Sequence, residues 1–279
     1  MSIIIFSEEG KEENTLDSAY LDDRGYLNTK FGYKPWRNPY FVFSQMISLF
    51  DSPNFSKYLF TGIISSAGGL TESTVKSSLD ALTKHISHFN GKDNEIEKKK
   101  QFLKVFNSIF EDNLKEERII VPLMKTMESL LRTNYFSEPS LGEELVKMHG
   151  LSFKEVQKTR NIIKLISCAG IMGELMEFEP VKLKALRSLL LMLFNAYPKV
   201  RKLVSESLYN YLLTLEDPTT MFKDEDQYDE AIVILSETDW GSKLKELNAE
   251  VKPNIFAIFG QEPPKKKADV KPDGEATIV

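Results

Sequence analysis

Residues 198–215 read Pro-Lys-Val-Arg-Lys-Leu-Val-Ser-Glu-Ser-Leu-Tyr-Asn-Tyr-Leu-Leu-Thr-Leu. Proline suits the first helical position, where its missing N–H has no partner to lose. Val200, Leu203, Val204, Leu208, Tyr211, Leu212 and Leu215 then recur at steps of three and four, which is one face of an α-helix. Just upstream, Pro180 opens a second helix that carries Leu186 and the run Leu189–Phe194. That helix has little polar face, so other elements must cover it on several sides.

The same period governs nearly everything after residue 38. Asn38-Pro39 reads as a cap and first turn of a helix that stops before Ser52-Pro53. A helix over about 56–66 ends at Gly68-Gly69, where a left-handed cap is expected. Thr71 can cap the next, striped by Val75, Leu79, Leu82, Ile86 and Phe89. Phe102, Leu103, Phe106, Ile109 and Phe110 mark another stripe. Leu123, Met124, Met127, Leu130 and Leu131 mark a third, opened by Pro122. A looser stretch with Pro139 and Gly142 precedes a helix carrying Ile162, Leu165, Ile166, Ala169 and Met172. Beyond residue 215, Tyr228, Ala231, Ile232 and Leu235 define a short helix. A last one over about 242–259 should bend at Pro253. No stretch alternates with period two, so the chain reads as all-α with about ten helices.

Three helix starts carry a similar phrase: Ser73-Thr74-Val75-Lys76, Ile119-Ile120-Val121-Pro122 and Pro198-Lys199-Val200-Arg201. Val121 lies 46 positions after Val75, and Val200 lies 79 after Val121, about two units of forty. Periods near that length belong to HEAT and armadillo arrays, in which each helix pair buries its stripe against its neighbours. A compact bundle is the alternative. Burying one Leu or Phe contributes roughly 1.5–3 kcal/mol, so five or more per helix fix the packing order without a cofactor.

Composition narrows the function. The 279 residues are 42% hydrophobic and 28% charged, which excludes wholesale disorder. Thirty-six Lys and Arg against 41 Asp and Glu give a net charge of −5, unfavourable for nucleic acid unless cations cluster. The only triple basic runs are Lys98–Lys100 and Lys265–Lys267. One cysteine, Cys168, excludes an intramolecular disulfide framework and a Cys-rich zinc site. Ile3–Phe6 is too short for a signal peptide's apolar region or a membrane span. A soluble cytoplasmic protein is expected.

No catalytic motif stands out. His85 and His88 lie three apart on a helix, but a metal site needs three or four ligands; two exposed imidazoles are the simpler reading. Cys168 sits in an apolar helical run and reads as a buried structural thiol. Ser66-Ala67-Gly68-Gly69 lacks the lysine of a phosphate loop, and no Gly-x-Ser-x-Gly elbow exists. An enzyme with a scattered site would require a deep polar pocket of converging ionisable groups.

Four segments are more particular than packing requires: Gly68–Thr74, Ile109–Leu114 leading through Glu116-Glu117-Arg118 to Val121–Thr126, Tyr197–Lys202, and Val233–Trp240. In this order and spacing the chain resembles the C-terminal region of the tubulin-folding cofactor D family, over roughly residues 36–260. The Gly-Gly-Leu-Thr-Glu-Ser-Thr and Ile-Phe-Glu-Asp-Asn-Leu phrases carry most of the resemblance, supported by Leu-Ser-Glu-Thr-Asp-Trp. The resemblance implies a HEAT/armadillo-type solenoid segment over 36–260. By composition alone, the polar residues 1–35 are expected to be a poorly ordered extension and the Pro/Lys-rich 261–279 a disordered tail. It implies a chaperone that binds β-tubulin, and works with the other folding cofactors to assemble or dissociate the α/β-tubulin dimer. It further implies cooperation with an ADP-ribosylation-factor-like small GTPase, and stimulation of tubulin GTP hydrolysis only together with partners. No covalent reaction and no cofactor are implied, and the setting would be the cytoplasm and the microtubule cytoskeleton. Family members are several-fold longer, so a large client-embracing surface would lie outside this chain. A helical scaffold with a different client is the alternative.

Contact residues on such an array are expected among polar groups near the turns: Glu72, Glu111, Asp112, Asn113, Glu117 and Arg118. The competing structural roles are specific. Gly68, Gly69 and Thr71 would cap helices, Asp112 and Asn113 would stop one, Arg201 would tie neighbouring repeats, and Trp240 would plug the core.

Overall fold

In the computed structural model, residues 39–46, 49–50, 56–69 and 71–264 are described. They contain twelve α-helices and no strand: α1 (Pro39–Met46), α2 (Ser56–Ala67), α3 (Glu72–Ser87), α4 (Glu95–Asp112), α5 (Glu117–Leu131), α6 (Gly142–Val156), α7 (Ile162–Leu175), α8 (Glu179–Met192), α9 (Pro198–Leu213), α10 (Glu225–Glu237), α11 (Leu244–Glu250) and α12 (Lys252–Ile258). Asn38, Leu70, residues 1–35 and the lysine-rich part of the tail fall outside the described residues.

The helices form two rows. In one, α2 packs on α5, α5 on α7, α7 on α9 and α9 on α10; in the other, α4 packs on α6 and α6 on α8. Three successive hairpins, α4–α5, α6–α7 and α8–α9, thus stack side by side as an α-helical repeat segment. Helix α8 lies against α6, α7 and α9. Leu186, Leu189, Leu190 and Leu193 are therefore fully buried, as the nearly all-apolar run demands.

Several local expectations change. Pro122 does not open its helix: α5 begins at Glu117, and Pro122 sits inside it. The lost hydrogen bond would have joined the Arg118 carbonyl, at the exposed helix start where water can serve instead. Neither Gly68 nor Gly69 has a positive φ. Gly68 is required for proximity instead, since a Cβ there would meet the Pro122 Cα at 2.2 Å. Thr71 is the N-cap residue of α3, but its side chain makes no capping hydrogen bond.

The looser stretch conceals a full helix, α6, with Leu145, Met148 and Leu151 buried. The final helix is not bent but split, with Pro253 in the first turn of α12. The Val75 phrase belongs to α3, which packs chiefly on α1 and α2 rather than entering the α5–α7–α9 row. Only Val121 and Val200 occupy the same row, two hairpins apart.

Candidate partner-binding edge at the hairpin turns

Helices α5, α7 and α9 run parallel. Lys164 near the start of α7 meets Glu117 at the start of α5, and Glu174 near the end of α7 meets Arg132 just past α5. The Tyr197 hydroxyl donates to the Arg160 carbonyl at 3.4 Å, joining the starts of α7 and α9. The α4–α5, α6–α7 and α8–α9 turns therefore line one edge. Gly68 abuts Pro122, so the α2–α3 turn lies beside the first half of α5.

This edge is rigidly built. Lys115 (φ 71°) and Lys158 (φ 64°) each adopt the left-handed conformation in successive hairpin turns. Such backbone costs a non-glycine residue roughly 1–2 kcal/mol and needs support. The Lys115 N–H donates to Glu155 Oε2 at 3.0 Å. The other Glu155 oxygen pairs with Lys164 Nζ at 2.6 Å, with both side chains buried. Lys164 also reaches Glu117 at 3.4 Å. A hydrogen bond from Asn161 and then the Lys164 charge hold the Glu117 carboxyl below the usual glutamate range. Asn161 caps α7 by accepting from the N–H groups of Ile163 and Lys164.

The six anticipated contact residues divide accordingly. Glu72 and Arg118 are exposed, and neither makes an ion pair or side-chain hydrogen bond among the described residues. The other four have structural partners. Glu111 pairs with Lys147 of α6 at 3.0 Å. Asp112 pairs with Lys57 of α2. Asn113, the C-cap of α4, donates through its side-chain amide to the Ile109 carbonyl at 2.8 Å. Glu117 belongs to the Lys164 network. Five of the six lie within one turn of the array, while Glu72 starts the neighbouring α3.

Arg201 is 2% exposed and ties repeats together as anticipated. Its guanidinium donates to the carbonyls of Trp240 (2.8 Å), Ser242 (2.8 Å), Asn195 (2.9 Å) and Ala196 (3.2 Å). Trp240 is buried, its indole N–H on the Leu235 carbonyl at 3.1 Å.

The histidines do not behave as an exposed pair. His85 is buried against the rings of Phe50, Phe60 and Phe89, and only His88 is exposed. Rings from the approach to α2, from α2 itself and from just past α3 thus enclose an imidazole that was expected to be exposed. Among the described residues no three His, Cys, Asp or Glu side chains gather as a metal site. Cys168 is fully buried, and burial pushes its thiol far up, which disfavours the thiolate form. His149 is partly buried, its Nε2 2.9 Å from Ser188 Oγ. Burial lowers its pKa from 6.5, against a hydrogen bond to the Lys184 carbonyl.

A cleft of about 480 Å³ holds Glu95, Lys99 and Glu138. Lys99 is engaged by Glu95 at 2.5 Å and the cleft is open, so these groups do not converge on an enclosed substrate position. No described helix is long and apolar enough to cross a membrane.

The left-handed lysines carry a signal in the sequence that the apolar stripes do not contain. Lys115-x-x-x-Ile119-Ile120 recurs as Lys158-x-x-x-Ile162-Ile163 after 43 positions, a better repeat marker than the Val75 phrase.

Comparison with known proteins places these observations. A family model described as Tubulin folding cofactor D C terminal matches residues 11–164. It reaches into the N-terminal segment and stops before the Leu-Ser-Glu-Thr-Asp-Trp phrase. Tubulin-specific chaperone D of Dictyostelium discoideum is 30% identical over 171 residues, 55% of this chain. The chain covers 11% of that relative's length. No solved structure matches the chain.

Proposed function

The chain belongs to the tubulin folding cofactor D C-terminal family, and on that premise we propose that it binds β-tubulin as part of a tubulin-folding chaperone system. In this reading it acts beside the other folding cofactors and an ADP-ribosylation-factor-like small GTPase, in assembly and disassembly of the α/β dimer. It performs no covalent chemistry of its own, and contributes to tubulin GTP hydrolysis only in company with partners. It would work in the cytoplasm, near the microtubule cytoskeleton.

The family match is the observation that carries the reading. The geometry supports it by offering a firm edge of turns, braced by the Glu155–Lys164 pair and the Lys115 N–H. A large client can be held on such an edge by many modest contacts. We assign Glu72 and Arg118 as direct contacts, because no internal partner occupies them. Glu111, Asp112, Asn113 and Glu117 extend the surface while also holding α4 and α5 in place.

The test is size-exclusion chromatography of the 279-residue chain with and without purified α/β-tubulin. Tubulin should elute with the chain or shift toward dissociated subunits. The double variant Glu72→Lys/Arg118→Glu should weaken that effect several-fold with an unchanged circular dichroism spectrum. A well-folded chain that leaves tubulin elution untouched would refute the reading and favour a helical scaffold with another client.

A further inference from the structure

Charge along the hairpin edge is unevenly placed. Residues 154–163 and 195–203 contain Lys154, Lys158, Arg160, Lys199, Arg201 and Lys202 but only one carboxylate, Glu155. Glu155 is buried and engaged by Lys164. Two turns of a chain with net charge −5 thus form a cationic strip, flanked by Glu117 beside Asn161 and by Asp239 near Lys202.

Most of the strip's cations are idle. Lys154, Lys158, Arg160, Lys199 and Lys202 are exposed, and none forms an ion pair among the described residues. Charges elsewhere on the same array do pair, as in Lys147–Glu111 and Arg132–Glu174. Asp239 partly compensates Lys202; the other four cations repel one another, and that cost falls when a polyanion arrives. The backbone beneath them is already fixed. Tyr197 bonds the Arg160 carbonyl, Asn161 caps α7, and Arg201 holds the carbonyls of Asn195 and Ala196. Binding would therefore order little of this side of the interface. Ile163, 53% exposed beside Arg160, adds apolar contact.

We propose that the α6–α7 and α8–α9 turns form a docking strip for an acidic, extended polypeptide segment of a partner protein. Neighbouring helices sit about 8–10 Å apart, and an extended chain advances about 3.3 Å per residue. Carboxylates roughly three residues apart would thus meet successive turns. Nucleic acid fits less well, because the strip offers no exposed aromatic ring for stacking and the body as a whole is anionic. The strip adjoins the Arg118 end of the same edge through the Lys164–Glu117 contact, and it does not depend on tubulin being the client.

Fluorescence anisotropy of a labelled twelve-residue polyglutamate peptide tests this on the full chain. Saturable binding is expected at 50 mM NaCl, weakening at least five-fold at 300 mM. Lys158→Glu/Arg160→Glu/Lys199→Glu should weaken it at least ten-fold. The equally charged control Lys76→Glu/Lys92→Glu/Lys104→Glu, on exposed lysines elsewhere, should change it less than three-fold. If the first variant fails to fold, the neutral triple Lys158→Gln/Arg160→Gln/Lys199→Gln replaces it, with at least a three-fold loss expected. Three results would overturn the proposal: no saturable binding at low salt, equal losses in strip and control variants, or tighter binding of a twelve-nucleotide RNA or of phosphatidylserine vesicles than of the peptide.

Discussion

Replacing Gly68 by alanine should destabilise the chain, whereas the same change at Gly62, six residues earlier, should stabilise it. A Cβ at position 68 would lie 2.2 Å from the Pro122 Cα, 2.3 Å from its oxygen and 2.5 Å from its carbonyl carbon. Ordinary contact begins near 3.4 Å, so α2 and α5 must part by about 1.2 Å. All three obstacles are backbone atoms, and no rotamer can move them aside. Overpacking of this kind costs about 1–3 kcal/mol, and a backbone collision belongs at the upper end. Parting the helices would also strain the bond from Thr126 Oγ1 to the Ile64 carbonyl, now 3.1 Å. At Gly62, inside α2, an added Cβ meets nothing within 4 Å. Alanine there gains about 0.8–1 kcal/mol of helix propensity. Urea denaturation followed by circular dichroism at 222 nm reads both. With a slope of about 2–3 kcal/mol/M, Gly68→Ala should lower the midpoint by about 1 M and Gly62→Ala should raise it by about 0.3 M. Midpoints that move together, in either direction, would refute the close approach of α2 to α5.

Two further outcomes test the edge and its surroundings. Glu155→Gln leaves the buried Lys164 without its nearest carboxylate and weakens the acceptor for the Lys115 N–H. It should cost about 3–5 kcal/mol in urea melts, while Glu155→Met/Lys164→Met recovers most of the loss. Because burial lowers the His149 pKa, folding favours the neutral ring. Its contribution is present above pH 6.5 and is lost as pH falls through the depressed folded value. The stability difference between the parent chain and His149→Gln should therefore shrink as pH falls below about 6.5. A constant difference in thermal melts from pH 5 to 8 would contradict that assignment.

Helices with dense apolar stripes were legible because burial at steps of three and four leaves a mark no loop needs. Phe102, Leu103, Phe106, Ile109 and Phe110 all lie in the core as read. Helix α6 was hidden because its buried face includes Gly142, Ser152 and Glu155, which look like turn residues. Gly142 serves proximity once more, since a Cβ there would meet the Pro180 ring at 2.6 Å. Pro122 misled for a related reason: proline usually marks a first turn, and here exposure of the preceding turn lets it sit deeper. The anticipated contact residues lie near turns, but the partners of Glu111 and Asp112 are far along the chain. Lys57 is 55 positions before Asp112, and Lys147 is 36 after Glu111. No local pattern reports such pairings.

Arg201 gives the last hairpins an unusual kind of evolutionary freedom. The four oxygens it grips belong to the main chain, which every substitution preserves. Side chains at residues 195, 196 and 242 can drift without loosening the lock, while the key itself tolerates no replacement, since lysine has neither the fork nor the number of donors. Descendants of this sequence can therefore rewrite the outer lettering of these turns, and so whatever is read there, without unfastening one hairpin from the next.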